Sequence, residues 1–341
     1  RPTLSGSRSR NNGAAIMSRS DILAVAKATN KTDDTGNTFP IEFETSTPAD
    51  PETINRIINH NQQQSEPQLW PEIRTIIETH IRNQPRSQQV ELGPSELGTD
   101  SLHTLAAKLA GWPQSNQQAG WLPFIGTSVH AQFEKLFPTL NHTGFDPDNK
   151  GPRFETEMQV TSGHLNGLYG GYDIGGHIDL YDHQTATTAD WKIVGATTLR
   201  TVKANGISQQ YAVQASLYGI GLLNEDLPIE RSAIYFLPRN GISLNDALPV
   251  EYPFDPQPGR WALARAQLLV NLMDVIEQAD GPEVRDAWIS LLPESPTHDF
   301  SDHTWPDDGA LSELNDASAA VPDKWRALLP LLEPTYHPTT K

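Results

Sequence analysis

One segment, GGHIDLYDHQTATTADWKIVG (residues 175–195), constrains the fold more than any other part of the chain. Apolar and polar residues alternate on both sides of a central HQTA, which predicts two antiparallel strands joined by a tight turn. With the turn centred between Gln184 and Thr185, Asp179 stands directly opposite Asp190. Opposed like charges destabilise a sheet, so this register calls for a cation between the two acids. A slip of one residue would remove the opposition.

The same alternation predicts one polar and one apolar face for the hairpin. The polar face carries His177, Asp179, Tyr181, Thr188, Asp190 and Lys192, and the apolar face carries Ile178, Leu180, Ala189, Trp191 and Ile193. Carboxylate oxygens gathered at one point are the ligands that Mg²⁺ prefers. The alternative is a solvated face on which the acids and the lysine meet only water, and this geometry alone favours neither.

Composition limits what the hairpin can do. The chain has no cysteine, which excludes disulfides, thiol catalysis and iron–sulfur clusters. Its formal net charge of −17 repels nucleic acid at long range, so any nucleic-acid contact must use a local basic surface. Residues 191–224 hold Lys192, Arg200 and Lys203 and no acid. No apolar run is long enough for a membrane-spanning helix, and we expect a cytoplasmic protein with no membrane partner.

Composition also predicts the domain boundaries. Residues 1–48 are polar and predicted to be disordered, with Met17 a candidate start. Residues 49–90 form a helical extension, 91–310 the main domain, and 311–341 a tail with a short helix. Within the main domain, strand patterns at 153–162, 172–182 and 185–195 precede a helix at 208–223 and a strand at 231–241. A long amphipathic helix ends at Gly281. The fold class is therefore α/β, a mixed central sheet flanked by helices.

Four short motifs occur in order along these elements: GTSVH with His130, GGHID with Asp179, DWK with Asp190 and Lys192, and QASLY with Gln214. This order resembles the PD-(D/E)XK nuclease superfamily, specifically its RecB-like branch, which includes CRISPR-associated exonucleases and phage relatives. The resemblance covers roughly residues 91–310. It implies a restriction-endonuclease-like core and a cell that is bacterial or phage-infected.

The resemblance also implies roles. His130, Asp179 and Asp190 match the metal ligands of the family, and the main-chain carbonyl of Trp191 matches a further ligand for Mg²⁺ or Mn²⁺. Lys192 matches the lysine that orients the attacking water.

Gln214 and Tyr218 match a fourth motif beside the nucleic acid, and their spacing of four places them on one helical face. Arg200 and Lys203 follow the hairpin and could contact phosphates. Each of these residues has a plainer alternative. His130 with Glu134 could be a surface pair, and Gln214 with Tyr218 an ordinary helix face.

Three features stand outside the family pattern. A second D-x-K, at Asp148, lies among Pro and Gly and is predicted to be a loop. Glu157, on the strand before the hairpin, is predicted to be a surface or DNA-channel residue. Where relatives carry cluster cysteines, this chain has two S-x-H-T segments, at 101–104 and 301–304. No cluster can form there, and the similarity of the two segments could be chance, so the sequence leaves open how the two ends of the domain are held together.

Together these features predict a metal-dependent DNA nuclease, an exonuclease of recombination, replication or repair. A recombinase or single-strand-binding protein is the expected partner. Two alternatives stay open: a catalytically silent nucleic-acid-binding module on the same fold, and an interaction protein that recruits a recombinase.

Overall fold

A computed structural model describes residues 69–83, 92–112, 120–141, 151–295 and 321–338. The chain divides into two compact units, Arg1–Gln68 and Leu69–Lys341, and all described residues belong to the second. The predicted disordered tail, the first part of the helical extension, the D-x-K at Asp148 and the segment 301–304 lie outside the described residues. Among the described helices, none is both long and apolar enough to cross a membrane.

The described residues form an α/β fold in which a five-stranded mixed sheet is flanked by helices. The strands are β1 (Phe154–Gly167), β2 (Gly170–Asp182), β3 (Thr187–Val194), β4 (Arg231–Pro238) and β5 (Leu248–Pro253). The main helices are α1 (Leu69–Arg82), α2 (Leu102–Leu109), α3 (Trp121–Leu140), α4 (Ala196–Asn205), α5 (Gln209–Asn224), α6 (Gln257–Asp280), α7 (Pro282–Ile289) and α8 (Asp323–Arg326). As predicted, α6 ends at Gly281, whose φ of 93° suits glycine.

The sheet order is β1-β2-β3-β4-β5, with β3 and β4 parallel and the other neighbours antiparallel. Helices α4 and α5 make the crossover between the parallel pair. The sequence analysis did not identify β5, whose six residues include Pro249 and Pro253. Proline cannot donate to a ladder and is tolerated on an edge strand, which is where β5 lies.

The predicted hairpin register is confirmed over three residue pairs, from Asp182–Thr187 to Leu180–Ala189. The ladder between β2 and β3 then stops, one pair before Asp179 and Asp190. The two strands therefore part where the acids begin, and the site lies in the resulting gap.

The predicted face assignment is wrong for Ile178 of β2, and Tyr181, predicted on the polar face, is fully buried in an apolar cluster. Ile178 packs in one cluster with the fully buried Tyr181, while Leu180 packs in another with Trp191. The reversal coincides with Glu157 on β1, whose φ of 52° breaks the regular pleat. Glu157 and Asp179 have no ladder partner, although the flanking β1–β2 pairs are formed. The irregularity explains why both acids leave the regular alternation.

Each face of the sheet is covered differently. On one side, α3 packs Phe133 and Phe137 against Trp191. On the other, α5 lies on the sheet, and α6 packs against α5 and β1. The largest apolar cluster joins α2, α5, α6 and α7 and is closed by the carboxy-terminal segment through Trp325 and Leu332.

An arginine ties the ends of the domain together. Arg265 is buried, lies over the ring of Trp261, and donates hydrogen bonds to the carbonyls of Leu97, Thr99 and Pro334 at 2.6–2.9 Å. Burial lowers its pKa to about 10. These contacts fix the loop before α2 to the carboxy-terminal segment.

The described S-x-H-T segment is a helix cap rather than a ligand pair. Ser101 accepts a hydrogen bond from the amide of Thr104, and its hydroxyl donates to Thr104 Oγ1.

Candidate active site

A cavity of about 360 Å³ opens where β2 and β3 separate. Its walls come from the loop before α2, from one face of α3, from β1–β3 and from α5. The lining residues are Gly93, Pro94, Ser95, Thr127, His130, Ala131, Glu134, Glu157, Gly175, Gly176, His177, Asp179, Asp190, Lys192, Gln214 and Tyr218. The cavity therefore collects polar side chains from one loop, two helices and three strands. A side chain at Gly176 would come within 2.8 Å of Pro94, so the close approach of that loop requires glycine.

His130 projects from the middle of α3 and contacts two acceptors. Its Nδ1 lies 3.2 Å from Asp179 Oδ1, and its Nε2 lies 3.0 Å from the carbonyl oxygen of Trp191. Satisfying both contacts at once requires a proton on each ring nitrogen. A divalent cation between these groups would take the place of one such proton.

Asp179 replaces the missing ladder contact with its own side chain. Its Oδ2 accepts a hydrogen bond of 2.8 Å from the amide of Trp191, the residue after Asp190. This contact holds the two strands at the start of the gap. The other oxygen of Asp179 then faces His130. Asp179 is thus held by different groups from Asp190.

Asp190 belongs to a second, buried network. Lys192 Nζ lies 2.6 Å from Asp190 Oδ2 as an ion pair and donates a 2.8 Å hydrogen bond to Gln214 Oε1. Gln214 Nε2 donates to Asp190 Oδ1 at 3.2 Å and to the hydroxyl of Tyr218 at 2.9 Å. The predicted shared face of Gln214 and Tyr218 is thus confirmed, and it orients both Lys192 and Asp190.

Lys192 compensates one oxygen of this network. Buried Asp190 Oδ2 lies 2.6 Å from Lys192 Nζ, and no other hydrogen-bond partner reaches it among the described residues. Its contact is therefore a charged pair inside the cavity.

Burial and nearby like charge also make Asp190 and Glu157 hard to ionise. Burial raises the pKa of Asp190 to about 6, opposed by Lys192 and reinforced by Asp179. Burial likewise raises the pKa of Glu157, with Asp179 and Glu134 adding to the effect. Excess negative charge at one point is a general property of cation sites.

A possible ligand group for a metal ion is formed by His130, Glu157 and Asp179, which each offer an atom within 4.8 Å of the others. Two of the three were predicted as ligands. Glu157 was predicted for the surface or the channel, and the structure instead places its partly exposed side chain in this group. The carboxylate of Asp190, also predicted as a ligand, lies outside the group and is held by Lys192 and Gln214.

The residues present fit a hard divalent cation. An imidazole nitrogen, two carboxylates and the nearby carbonyl of Trp191 are donors suited to Mg²⁺ or Mn²⁺. Asp190, paired with Lys192, adds a further carboxylate at the same cavity. The fit rests on this donor set and on the charge that surrounds it.

The predicted phosphate contacts lie elsewhere. Arg200 and Lys203 are exposed on α4, and neither lines the described cavity. Lys192 is the lysine that the structure places in the described lining of the cavity.

Comparison with known proteins adds little to this geometry. No family model and no curated protein matches the chain. A crystal structure of SSO0001 is similar in part: it is 12% identical, the alignment covers 63% of this chain and 91% of that one, and the TM-score is 0.36.

Proposed function

We propose that this protein is a metal-dependent DNA nuclease with a PD-(D/E)XK core, acting as an exonuclease in DNA recombination, replication or repair. The observation that carries the proposal is the pairing of two groups in one cavity. The ligand group of His130, Glu157 and Asp179 lies beside the Lys192–Asp190 pair. A bound divalent cation and a positioned ammonium group can together support phosphodiester hydrolysis.

Each residue has a role in this proposal. His130, Glu157, Asp179 and the Trp191 carbonyl would hold Mg²⁺ or Mn²⁺, with Asp190, which pairs with Lys192 in this structure, as a further ligand. Bound there, the ion would polarise a phosphoryl oxygen and acidify water.

Lys192 would orient the attacking water and offset charge that develops on the phosphate. Gln214 holds the Lys192 ammonium at 2.8 Å and so sets its direction. Tyr218 fixes Gln214 in turn. Arg200 and Lys203 would contact DNA outside the cavity.

The second candidate is a nucleic-acid-binding module without catalysis, which could also recruit a recombinase. It is favoured by the ion pair between Lys192 and Asp190, which occupies both groups in this structure. The nuclease is preferred because a silent site has no need to keep Asp190 desolvated beside Asp179.

The two candidates separate in one digestion experiment. End-labelled linear DNA and circular DNA, each single- and double-stranded, are incubated with Mg²⁺, Mn²⁺ or EDTA. A nuclease releases label only with metal, and an exonuclease spares the circles. Binding without metal-dependent release under all conditions would reject the nuclease in favour of the silent module.

A further inference from the structure

A group of aromatic side chains lies at the amino-terminal end of α3. The rings of Trp121 and Phe124 are 5.7 Å apart and inclined by 31°, and His80 of α1 meets Phe124 edge-on at 6.2 Å. Trp121 is 54% exposed. Large aromatic rings are costly to leave in water, and a flat exposed ring held by a neighbour offers a surface for another planar group.

This group continues the wall of the cavity. Phe124, Thr127, Ala131 and Glu134 follow one another at spacings of three and four, which places them on one face of α3. The last three line the cavity. Phe124 therefore lies about 4.5 Å further along the helix axis than Thr127, next to the described lining of the cavity.

Charge indicates what such a surface would bind. The described lining of the cavity holds the carboxylates of Glu134, Glu157, Asp179 and Asp190 against one lysine. The whole chain carries a net charge of −17. The cavity itself therefore attracts phosphates weakly without a bound cation, and uncharged contacts can add affinity for a nucleic acid beside the proposed contacts of Arg200 and Lys203. Stacking of bases on aromatic rings is such a contact and needs no cation.

We propose that Trp121 and Phe124, with His80 at their edge, form a stacking platform for unpaired bases of a DNA strand that leads into the cavity. The inference rests on the proposed function, because the platform serves catalysis only if a DNA strand enters this cavity. Bases paired in a duplex cannot stack on the platform, so it selects single-stranded or frayed ends.

Binding of labelled oligothymidylate of about 15 nucleotides tests the platform, measured by fluorescence anisotropy in EDTA so that nothing is cleaved. Trp121→Ala and Phe124→Ala are each expected to weaken binding about tenfold, the effect of losing one stacked base. Binding of a blunt duplex of the same length should be unchanged. Trp121→Phe should retain most of the affinity because it keeps a ring.

Leu122→Ala is the matched control, since Leu122 is 51% exposed on the same turn but has no ring. A loss with Leu122→Ala equal to that with Trp121→Ala would overturn the platform. So would unchanged oligothymidylate binding in both aromatic variants. A change of oligomeric state in these variants without loss of binding would make the surface a protein interface and also overturn it.

The digestion experiment keeps this inference separate from the function. If no DNA is cleaved but the aromatic variants lose single-strand binding, the nuclease fails and the platform stands. If cleavage occurs and single-strand binding is indifferent to the aromatic variants, the nuclease stands and the platform fails.

Discussion

The two ends of the β2–β3 hairpin place a buried aspartate in opposite electrostatic environments. Near the turn, Asp182 accepts two hydrogen bonds from Arg153 at 2.9 and 3.1 Å, and further bonds from Thr185 and the amide of Gln184. Burial alone would raise the pKa of Asp182, but these donors outweigh it and lower the pKa. At the turn end, both carboxylate oxygens of Asp182 therefore accept hydrogen bonds, and the anion is stabilised.

At the open end, Asp190 is deeply buried, accepts a hydrogen bond from Gln214 and pairs with Lys192, yet its pKa is raised to about 6. Burial is the main cause, and the charge of Asp179 adds to it. The difference teaches that the same hairpin stabilises one buried aspartate as an anion and leaves the other only partly compensated. The partly compensated end supports the proposed metal site.

The largest contrast should be in catalysis. Lys192→Met should lower metal-dependent DNA hydrolysis by about 10²–10³-fold, because it removes the positioned ammonium from the cavity. Asp182→Ala should leave the specific activity of the folded protein unchanged. The measurement is release of end label per folded molecule with Mg²⁺. Wild-type rates in Lys192→Met, or equal losses in both variants, would contradict the assignment.

Asp182, which should not matter for catalysis, should matter for the stability of the fold. Asp182→Ala should reduce the free energy of unfolding by about 2–3 kcal/mol, because it leaves the guanidinium of Arg153 without its charged acceptor. Urea unfolding followed by circular dichroism measures it. Arg153→Met is the partner variant, and the double variant should cost less than the sum of the two. Additive losses would show that the pair is not coupled.

Metal binding should stabilise the folded protein through Asp179 and not through Asp182. Mg²⁺ at about 100 times its Kd should raise the free energy of unfolding by about 2.7 kcal/mol. The gain should persist in Asp182→Ala and disappear in Asp179→Asn. Glu157→Gln decides whether Glu157 is a ligand, since a mere channel residue would leave the gain intact. Thermal unfolding with Mg²⁺ and with EDTA provides the measurement.

The strand pairing of the hairpin and the contact between Gln214 and Tyr218 could be predicted from the sequence. Alternation and the HQTA turn fix the register of the hairpin, and helical spacing places Gln214 beside Tyr218. Both follow from local periodicity, which a sequence displays directly. The approach of His130 to Asp179 needed the motif order, because no local pattern brings α3 to this strand.

What could not be predicted depends on departures from periodicity. Glu157 alternates regularly in sequence, and only its positive φ turns it into the site. The same irregularity moves Ile178 to the face of Tyr181. The contact of Arg265 with Pro334 joins residues distant in the chain through main-chain carbonyls, which carry no sequence signal.

The smallest effect concerns pH. Because the pKa of Asp182 is lowered in the folded protein, the unfolded chain takes up its proton first as the pH falls. The stability that this ionised carboxylate contributes is full above the ordinary aspartate pKa of about 3.9 and is lost as the pH falls below it. The loss for one group is at most about 1.4 kcal/mol per pH unit. Asp182→Asn should therefore unfold with a flatter pH dependence below about pH 4 than the wild type. Urea unfolding at several pH values in this range gives the free energy of unfolding of both proteins. If it fell equally with pH in the wild type and in Asp182→Asn, Asp182 would not contribute to the acid sensitivity.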